Sequence, residues 1–256
     1  MKVLVKLVGT LLDAPETRRA LACQIAGAAV RGHDVVVVHG GGKQMTRFLN
    51  ERGVASTFVN GLRVTTPETL DAVVKVVAGS VNRELVASLV AAGAQAVGIC
   101  GIDACLVEAE QMDPALGAVG RVMRANPALL RTLAGGGFLP VVACVGGDRQ
   151  GRLYNVNADQ MAVACAAAME ADMLVFLTDV EGVLDGEKRL LPQLTAAETQ
   201  ALIDAGVATG GMQAKLNAAT SALRQGVGQV RIAPGAAERI LERVLAGETA
   251  GTRLEP

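Results

Sequence analysis

The chain has 256 residues, 51% of them hydrophobic, which is enough to bury the core of one large domain or two fused lobes. Lys and Arg number 24 against 25 Asp and Glu, a formal charge of −1. No basic block or aromatic platform (aromatics are 2%, Trp is absent) serves DNA or RNA. Charged residues break every apolar run before the ~18 residues a membrane span requires, and Met1-Lys2-Val3-Leu4-Val5-Lys6 reads as a strand rather than a signal peptide, so the cytoplasm is the expected location.

In chain order, strand-length apolar runs alternate with amphipathic helical stretches. A strand over Val3 to Leu7 precedes a helix near Glu16 to Arg31, a strand over Asp34 to Val38 and a helix near Lys43 to Arg52. A long helix from Thr66 to Ala92 follows, capped by Thr66 with Pro67 at its first position. Next come a strand over Ala96 to Cys100, a helix near Pro127 to Ala134, a strand over Leu139 to Val145, a helix from Ala158 to Met169 and a strand over Met173 to Leu177. Runs such as Val35-Val36-Val37-Val38 have no polar alternation, as expected of parallel strands covered on both faces. The fold class implied is α/β, a three-layer sandwich with a central, mostly parallel sheet. Asp103 to Arg121 and Val183 to Leu191 break the rhythm and read as β-hairpins at the sheet margins, the second with its tip at Leu184-Asp185-Gly186. Gly146-Gly147 is the candidate boundary between lobes 1–147 and 148–256. Cys23, Cys100, Cys105, Cys144 and Cys165 are odd in number, lack a C-x-x-C pair, and read as reduced thiols filling the core.

Several loops carry chemistry. The strand ending at Val38 runs into His39-Gly40-Gly41-Gly42-Lys43 and then a helix, where glycine lets the backbone approach an anion and free N–H groups attract it. The spacing is not a P-loop, since Val37 stands where its first glycine belongs and Gln44 follows Lys43; Met45 likewise rules out G-x-G-x-x-G. The first strand delivers Lys6-Leu7-Val8-Gly9 to the carboxyl edge of the sheet, where ligands of α/β folds collect. Gly210-Gly211-Met212 precedes a helix expected to carry Lys215 in its first turn, a second lysine beside an anion cradle. Asn155 and Asn157 flank the mouth of the helix that carries Asp159. Capping accounts for Asn157 and Asp159, and Asn155 is free to hold a ligand carboxylate or phosphate. Thr178-Asp179-Val180-Glu181-Gly182-Val183 is a polar turn suited to a ribose and base, and Arg63, in Asn60-Gly61-Leu62-Arg63-Val64-Thr65, suits a bidentate grip on a carboxylate.

Taken together and in order, these segments resemble the amino acid kinase family over essentially the whole chain. The Asn-Gly-Leu-Arg-Val-Thr and Asn-Val-Asn-Ala-Asp strings resemble the branch whose acceptor is N-acetyl-L-glutamate. The resemblance implies ATP-dependent phosphorylation of that acceptor's γ-carboxylate, a step of arginine biosynthesis. Lys6 and Lys215 would stabilise charge on the transferring phosphoryl group, Asp159 would orient both, and amides of Gly9, Gly40 and Gly41 would bind phosphoryl and acceptor oxygens. Arg63 and Asn155, with Asn157 beside them, would hold the acceptor. ATP would lie near Thr178, Asp179, Val180, Gly182 and Val183 and near Gly210, Gly211, Met212 and Lys215, its Mg²⁺ held chiefly by its phosphates and water.

One position departs from the family pattern: Val8 stands where a glycine is usual. Its branched side chain resists φ > 0 and would crowd a phosphate, although its N–H is still offered. The resemblance also implies an arginine-insensitive homodimer, since the family's arginine-inhibited hexamers carry an additional N-terminal helix. The Thr66 to Ala92 helix is either the dimer surface or buried in the monomer. Two other readings stay open: a kinase for a carrier-linked aminoadipate, and a catalytically silent amino-acid-binding homologue.

Overall fold

In the computed structural model, which describes residues 1–255, the alternation read from the sequence is followed closely. The first half contains β1 (Lys2–Leu7), α1 (Pro15–Val30), β2 (Asp34–His39), α2 (Gly42–Asn50), β3 (Phe58–Val59), β4 (Leu62–Arg63), α3 (Pro67–Ala72), a π-helical stretch over Val73–Val81, α4 (Asn82–Ala91), β5 (Ala96–Cys100), β6 (Val107–Gln111) and β7 (Val119–Ala125). The second half contains α5 (Ala128–Gly135), β8 (Leu139–Ala143), β9 (Val145–Gly147), β10 (Leu153–Val156), α6 (Ala158–Ala168), β11 (Met173–Thr178), β12 (Gln193–Thr195), α7 (Ala196–Asp204), α8 (Gly210–Arg224), β13 (Gln229–Pro234), α9 (Ile240–Leu245) and β14 (Thr252–Glu255).

The central sheet has eight strands in the order β12-β14-β13-β11-β1-β2-β8-β5. Those from β13 to β5 are mutually parallel, and the β14–β12 edge runs the other way. Parallel strands covered on both faces must be apolar throughout: Val3 to Val5, Val35 to Val38 and Leu174 to Leu177 are all sealed from water. Helices α1, α4 and α9 pack together, while α6 and α8 form a second layer with α6 lying across β1, β2 and β11. The chain leaves β1 for β2 on one side and returns to β11 on the other, so a crevice opens beyond the carboxyl ends of these strands. Leu7 lies in register between His39 and Leu177, which brings the loops after all three strands together.

Three expectations need correction. The hairpin of the Asp103 to Arg121 region is present as β6 and β7, but it is not at the margin of the central sheet; with β9 and β10 it closes a separate four-stranded barrel. The run Leu139 to Val145 is not one strand, because the chain leaves the central sheet after Ala143 and enters the barrel as β9. Gly146 and Gly147 are buried strand residues of this barrel, and a Cβ on Gly146 would meet Val156 at 2.9 Å. The Thr66 to Ala92 helix is continuous but changes winding, with the valine-rich stretch Val73–Val81 forming π turns. β-Branched residues lose side-chain freedom in an α-helix, which lowers the cost of that change. Its N-terminus is capped as expected, by Thr66 Oγ1 accepting from Thr69 N at 3.2 Å.

Candidate active site

A lysine in the middle of a doubly covered sheet is costly unless its charge is met. Lys6 is 5% exposed, alternating with the buried Val5 and Leu7, and its Nζ lies 2.5 Å from Oδ1 of Asp159, itself 8% exposed. Asp159 sits in the first turn of α6, whose N-cap Asn157 accepts from the N–H groups of Asp159 and Gln160 at 2.9 and 3.2 Å. The positive end of the helix favours a carboxylate there. Asp159 Oδ1 has no well-aligned hydrogen bond, so the attraction is charge on charge rather than directional.

Helix α8 packs on α6 and brings Lys215 into the same field. Because α8 begins at Gly210, Lys215 lies in its second turn rather than its first. Burial lowers the Lys215 pKa, Asp159 and Asp179 oppose that fall, and the charge on Lys6 adds to it. Asp179 accepts hydrogen bonds from Thr10 Oγ1 at 3.1 Å and Thr178 Oγ1 at 3.2 Å. Burial pushes its carboxyl up, but hydrogen bonds from its own N–H, Thr10 and Thr178, together with the Lys215 charge, outweigh this and hold it below the usual range. Residues far apart in sequence, at 6, 159, 179 and 215, thus share one electrostatic environment.

The backbone around them forms two clefts. The smaller, of about 790 Å³, is lined by Lys6, Val8, Gly9, Gly40, Gly41 and Arg63 among others. The larger, of about 1330 Å³, runs between α6 and α8 and is lined by Asn157, Asp159, Gly210, Gly211 and Lys215. Lys6 faces one and Asp159 the other, so their ion pair stands at the seam. A Cβ on Gly9 would lie 3.3 Å from Gly42 N, and one on Gly41 would lie 3.2 Å from Val77 Cγ2, so these glycines let two loops and the π-helical stretch meet closely.

The concern over Val8 is resolved differently than the sequence suggests. Its φ of −74° and ψ of 144° are ordinary extended backbone, so no strain arises. Its N–H is not offered to a ligand, because it donates to Leu177 O at 3.1 Å. The Val8 carbonyl accepts from Leu11 N at 3.1 Å within the turn over Gly9–Leu12.

Arg63, on β4, is held by Ser56 Oγ, by Thr46 Oγ1 at 2.8 Å and by Gly42 O at 3.2 Å, with its guanidinium 4.5 Å over the Phe58 ring. Asn155 is not among the residues lining either cleft; its Nδ2 donates to Thr65 Oγ1 at 3.0 Å, tying β10 to the segment after Arg63. Thr178 to Val183 line neither cleft. Val180 is exposed, but Val183 is sealed, its N–H donating to Thr252 Oγ1 and its carbonyl accepting from Leu191. Gly182, at φ +152°, approaches Thr252 and Leu190 too closely for a side chain. Gly182 therefore shapes the turn after Asp179, and Val183 has both of its backbone groups committed. Met212 packs against the core from the first turn of α8.

Three residues escaped the sequence reading: Thr10, Gln44 and Asn82. Gln44 carried a positional signal, standing in the first turn of the helix after the glycine triplet, whereas Asn82 reaches its partners across the fold. No group of three or more His, Cys, Asp or Glu side chains among the described residues is arranged to hold a metal ion. The five cysteines are unbonded, and Cys23 is exposed rather than core-filling. Burial pushes the Cys144 thiol up to about 11, with the Lys6 charge opposing it.

Residues 1–234 match the Amino acid kinase family. The acetylglutamate kinase of Solibacter usitatus (strain Ellin6076) is 67% identical over 254 residues, covering 99% of each chain. Among solved structures, N-acetylglutamate synthase from Neisseria gonorrhoeae, complexed with coenzyme A and N-acetyl-glutamate, superimposes on 100% of this chain with a TM-score of 0.89 and 25% identity. This chain spans 59% of that synthase's length. Carbamate kinase from Giardia lamblia bound to AMP-PNP, at a TM-score of 0.75 and 18% identity over 99% of this chain and 98% of its own, shares the fold. A family match over residues 1–234 and a 67% identical relative covered over 99% of its length show that the chain belongs to the amino acid kinase family.

Proposed function

We propose that this chain transfers the γ-phosphoryl group of ATP to the γ-carboxylate of N-acetyl-L-glutamate, forming N-acetyl-L-glutamyl 5-phosphate and ADP. The observation that carries the reading is the Lys6–Asp159 ion pair at the seam of two clefts, with Lys215 in the same field. The acceptor identity is supported by the name of the 67% identical relative.

A γ-carboxylate is already ionised at pH 7, so no general base is required. What opposes the reaction is the approach of two anions, and fixed cations and N–H donors aimed at the phosphoryl oxygens are the remedy. One carboxylate oxygen bonds to the γ-phosphorus as its bond to the β,γ-bridging oxygen breaks, and ADP carries away the electron pair. Lys6 and Lys215 meet the charge that spreads over the phosphoryl oxygens, while Asp159 keeps the two ammonium groups from repelling one another apart. Arg63 grips the acceptor's α-carboxylate, and Asn155, through Thr65, steadies that segment. Mg²⁺ neutralises charge on the nucleotide when bound. Asp179 is engaged by two hydroxyls and Asp159 by Lys6, a donor set that fits an ion held by phosphates and water.

In this reading residues 1–147 hold the acceptor and the contact of a homodimer, residues 148–256 hold most of the nucleotide, and the enzyme works in the cytoplasm. The test is ADP release measured with N-acetyl-L-glutamate, free glutamate, aspartate or no acceptor. Release that depends on N-acetyl-L-glutamate is expected; release that ignores the acceptor, or prefers glutamate or aspartate, overturns the proposal.

A further inference from the structure

Two peptide units beside the smaller cleft are held from behind by side chains to which the reaction above assigns no part. The carbonyl of Gly40 accepts from His39 Nδ1 at 2.8 Å, and the carbonyl of Gly9 accepts from Gln44 Nε2 at 3.0 Å. Both peptides are trans, and in a trans unit the C=O and N–H point in opposite directions. Drawing back the Gly40 oxygen therefore turns the Gly41 N–H away from His39, and drawing back the Gly9 oxygen turns the Thr10 N–H away from Gln44. Gly9, Thr10, Gly40 and Gly41 all line the cleft, and no backbone carbonyl among the described residues accepts from either N–H.

The ties are built deep into the fold. His39 is 0% exposed and both ring nitrogens are committed. Since a carbonyl only accepts, Nδ1 carries the proton, and Nε2 accepts from Asn82 Nδ2 at 2.9 Å. Asn82, also sealed, gives its other amide hydrogen to Val141 O at 3.0 Å and takes one from Arg83. Burial lowers the His39 pKa to about 4, with the Arg83 charge helping and the Gly40 hydrogen bond opposing, so the ring stays neutral in this tautomer near neutral pH. Asn82 directly follows the π-helical stretch, whose Val77 and Val81 stand under Gly41 and stop the loop from sinking. Gln44 is committed through its donor alone: its Oε1 is buried without a partner, a penalty accepted to keep Nε2 on Gly9.

We propose that His39, braced by Asn82, and Gln44 are positioning residues for phosphoryl transfer, acting through the Gly41 and Thr10 N–H groups that they aim into the cleft at the phosphoryl oxygens. The inference rests on the reading above and adds that the directed amide of the first loop includes Thr10, not Gly9 alone. A preorganised donor is worth about 10² to 10³ in turnover when lost outright. Loosening one through its tie should lower kcat by about 10- to 100-fold, with KM for ATP and acceptor unchanged within about 3-fold.

The test uses Gln44→Met and His39→Leu, which lose the donor, and His39→Gln, which keeps a donor for Gly40 and an acceptor for Asn82. Steady-state kcat and KM are read alongside amide resonances titrated with MgADP and aluminium fluoride, a planar mimic of the transferring group. In the wild type both the Gly41 and Thr10 amides should shift. His39→Leu should lose the Gly41 response and keep that of Thr10, Gln44→Met the reverse, and His39→Gln should recover most of kcat. Gln44→Met carries the test alone if His39→Leu does not fold. Folded variants whose kcat stays within about 2-fold of wild type, or whose two amides respond as in wild type, overturn the inference, as does a His39→Gln no better than His39→Leu. A wild type active on N-acetyl-L-glutamate whose amides stay unmoved sinks this inference alone; one inactive on that acceptor whose amides respond sinks only the acceptor assignment.

Discussion

Lys6 Nζ and Asp159 Oδ1 lie 2.5 Å apart with both side chains almost sealed from water. Removing one member of such a pair strands a buried charge, at a cost of about 3 kcal/mol, whereas removing both is far less harmful. Lys6→Met should therefore lose about 3 kcal/mol in urea unfolding together with its activity. Lys6→Met/Asp159→Leu should recover stability without recovering turnover. A double variant that regains activity would remove Lys6 from the chemistry.

His39 gives the protein a pH-dependent stability. Its ordinary pKa is 6.5 and burial lowers it to about 4, so the unfolded chain binds the extra proton first. The stabilisation is fully present above pH 6.5 and is lost as the pH falls towards 4, amounting to about 3 kcal/mol over that window. His39→Gln lacks this loss. The stability gap between wild type and variant, measured in urea at pH 7 and pH 4, should move by about that amount in the variant's favour on acidification; an unchanged gap would show that His39 titrates normally.

Lys215 must be charged to meet the phosphoryl oxygens, and burial lowers its pKa from 10.5. The kcat/KM profile should thus fall at alkaline pH with a midpoint below 10.5. In Lys215→Arg that limb should vanish from whatever activity remains, because a guanidinium does not titrate there. An alkaline limb that persists in Lys215→Arg belongs to another group.

Much of the fold was legible because parallel strands covered on both sides must be apolar, and Val35 to Val38 or Leu174 to Leu177 admit little else. The glycine triplet after His39 and the cap at Asn157 were legible for the same kind of reason, since few residues satisfy those local geometries. The barrel was not, because β9 and β10 are short and their pairing with β6 and β7 is set by tertiary contacts rather than by local pattern. Val8 was misjudged because sequence reveals which residue stands in a loop but not where its N–H is spent, and here it goes to Leu177. Asn82 lies 43 residues from His39, so no local pattern announces the hydrogen bond between them.

Because Val8 holds an unstrained backbone and its N–H is already used, Val8→Gly should keep activity within about 3-fold while losing about 1 kcal/mol through the added freedom of the unfolded chain and the lost burial. Turnover assays and thermal melts check both. A severe loss of turnover would mean that the loop is shaped around the valine side chain.

The most direct test of the account is single-turnover phosphoryl transfer from ATP to N-acetyl-L-glutamate in Lys215→Ala. The rate should be at least ~10²-fold below wild type with substrate affinities little changed, the scale of losing one preorganised electrostatic donor. A folded variant that transfers phosphate at a rate close to wild type would contradict it.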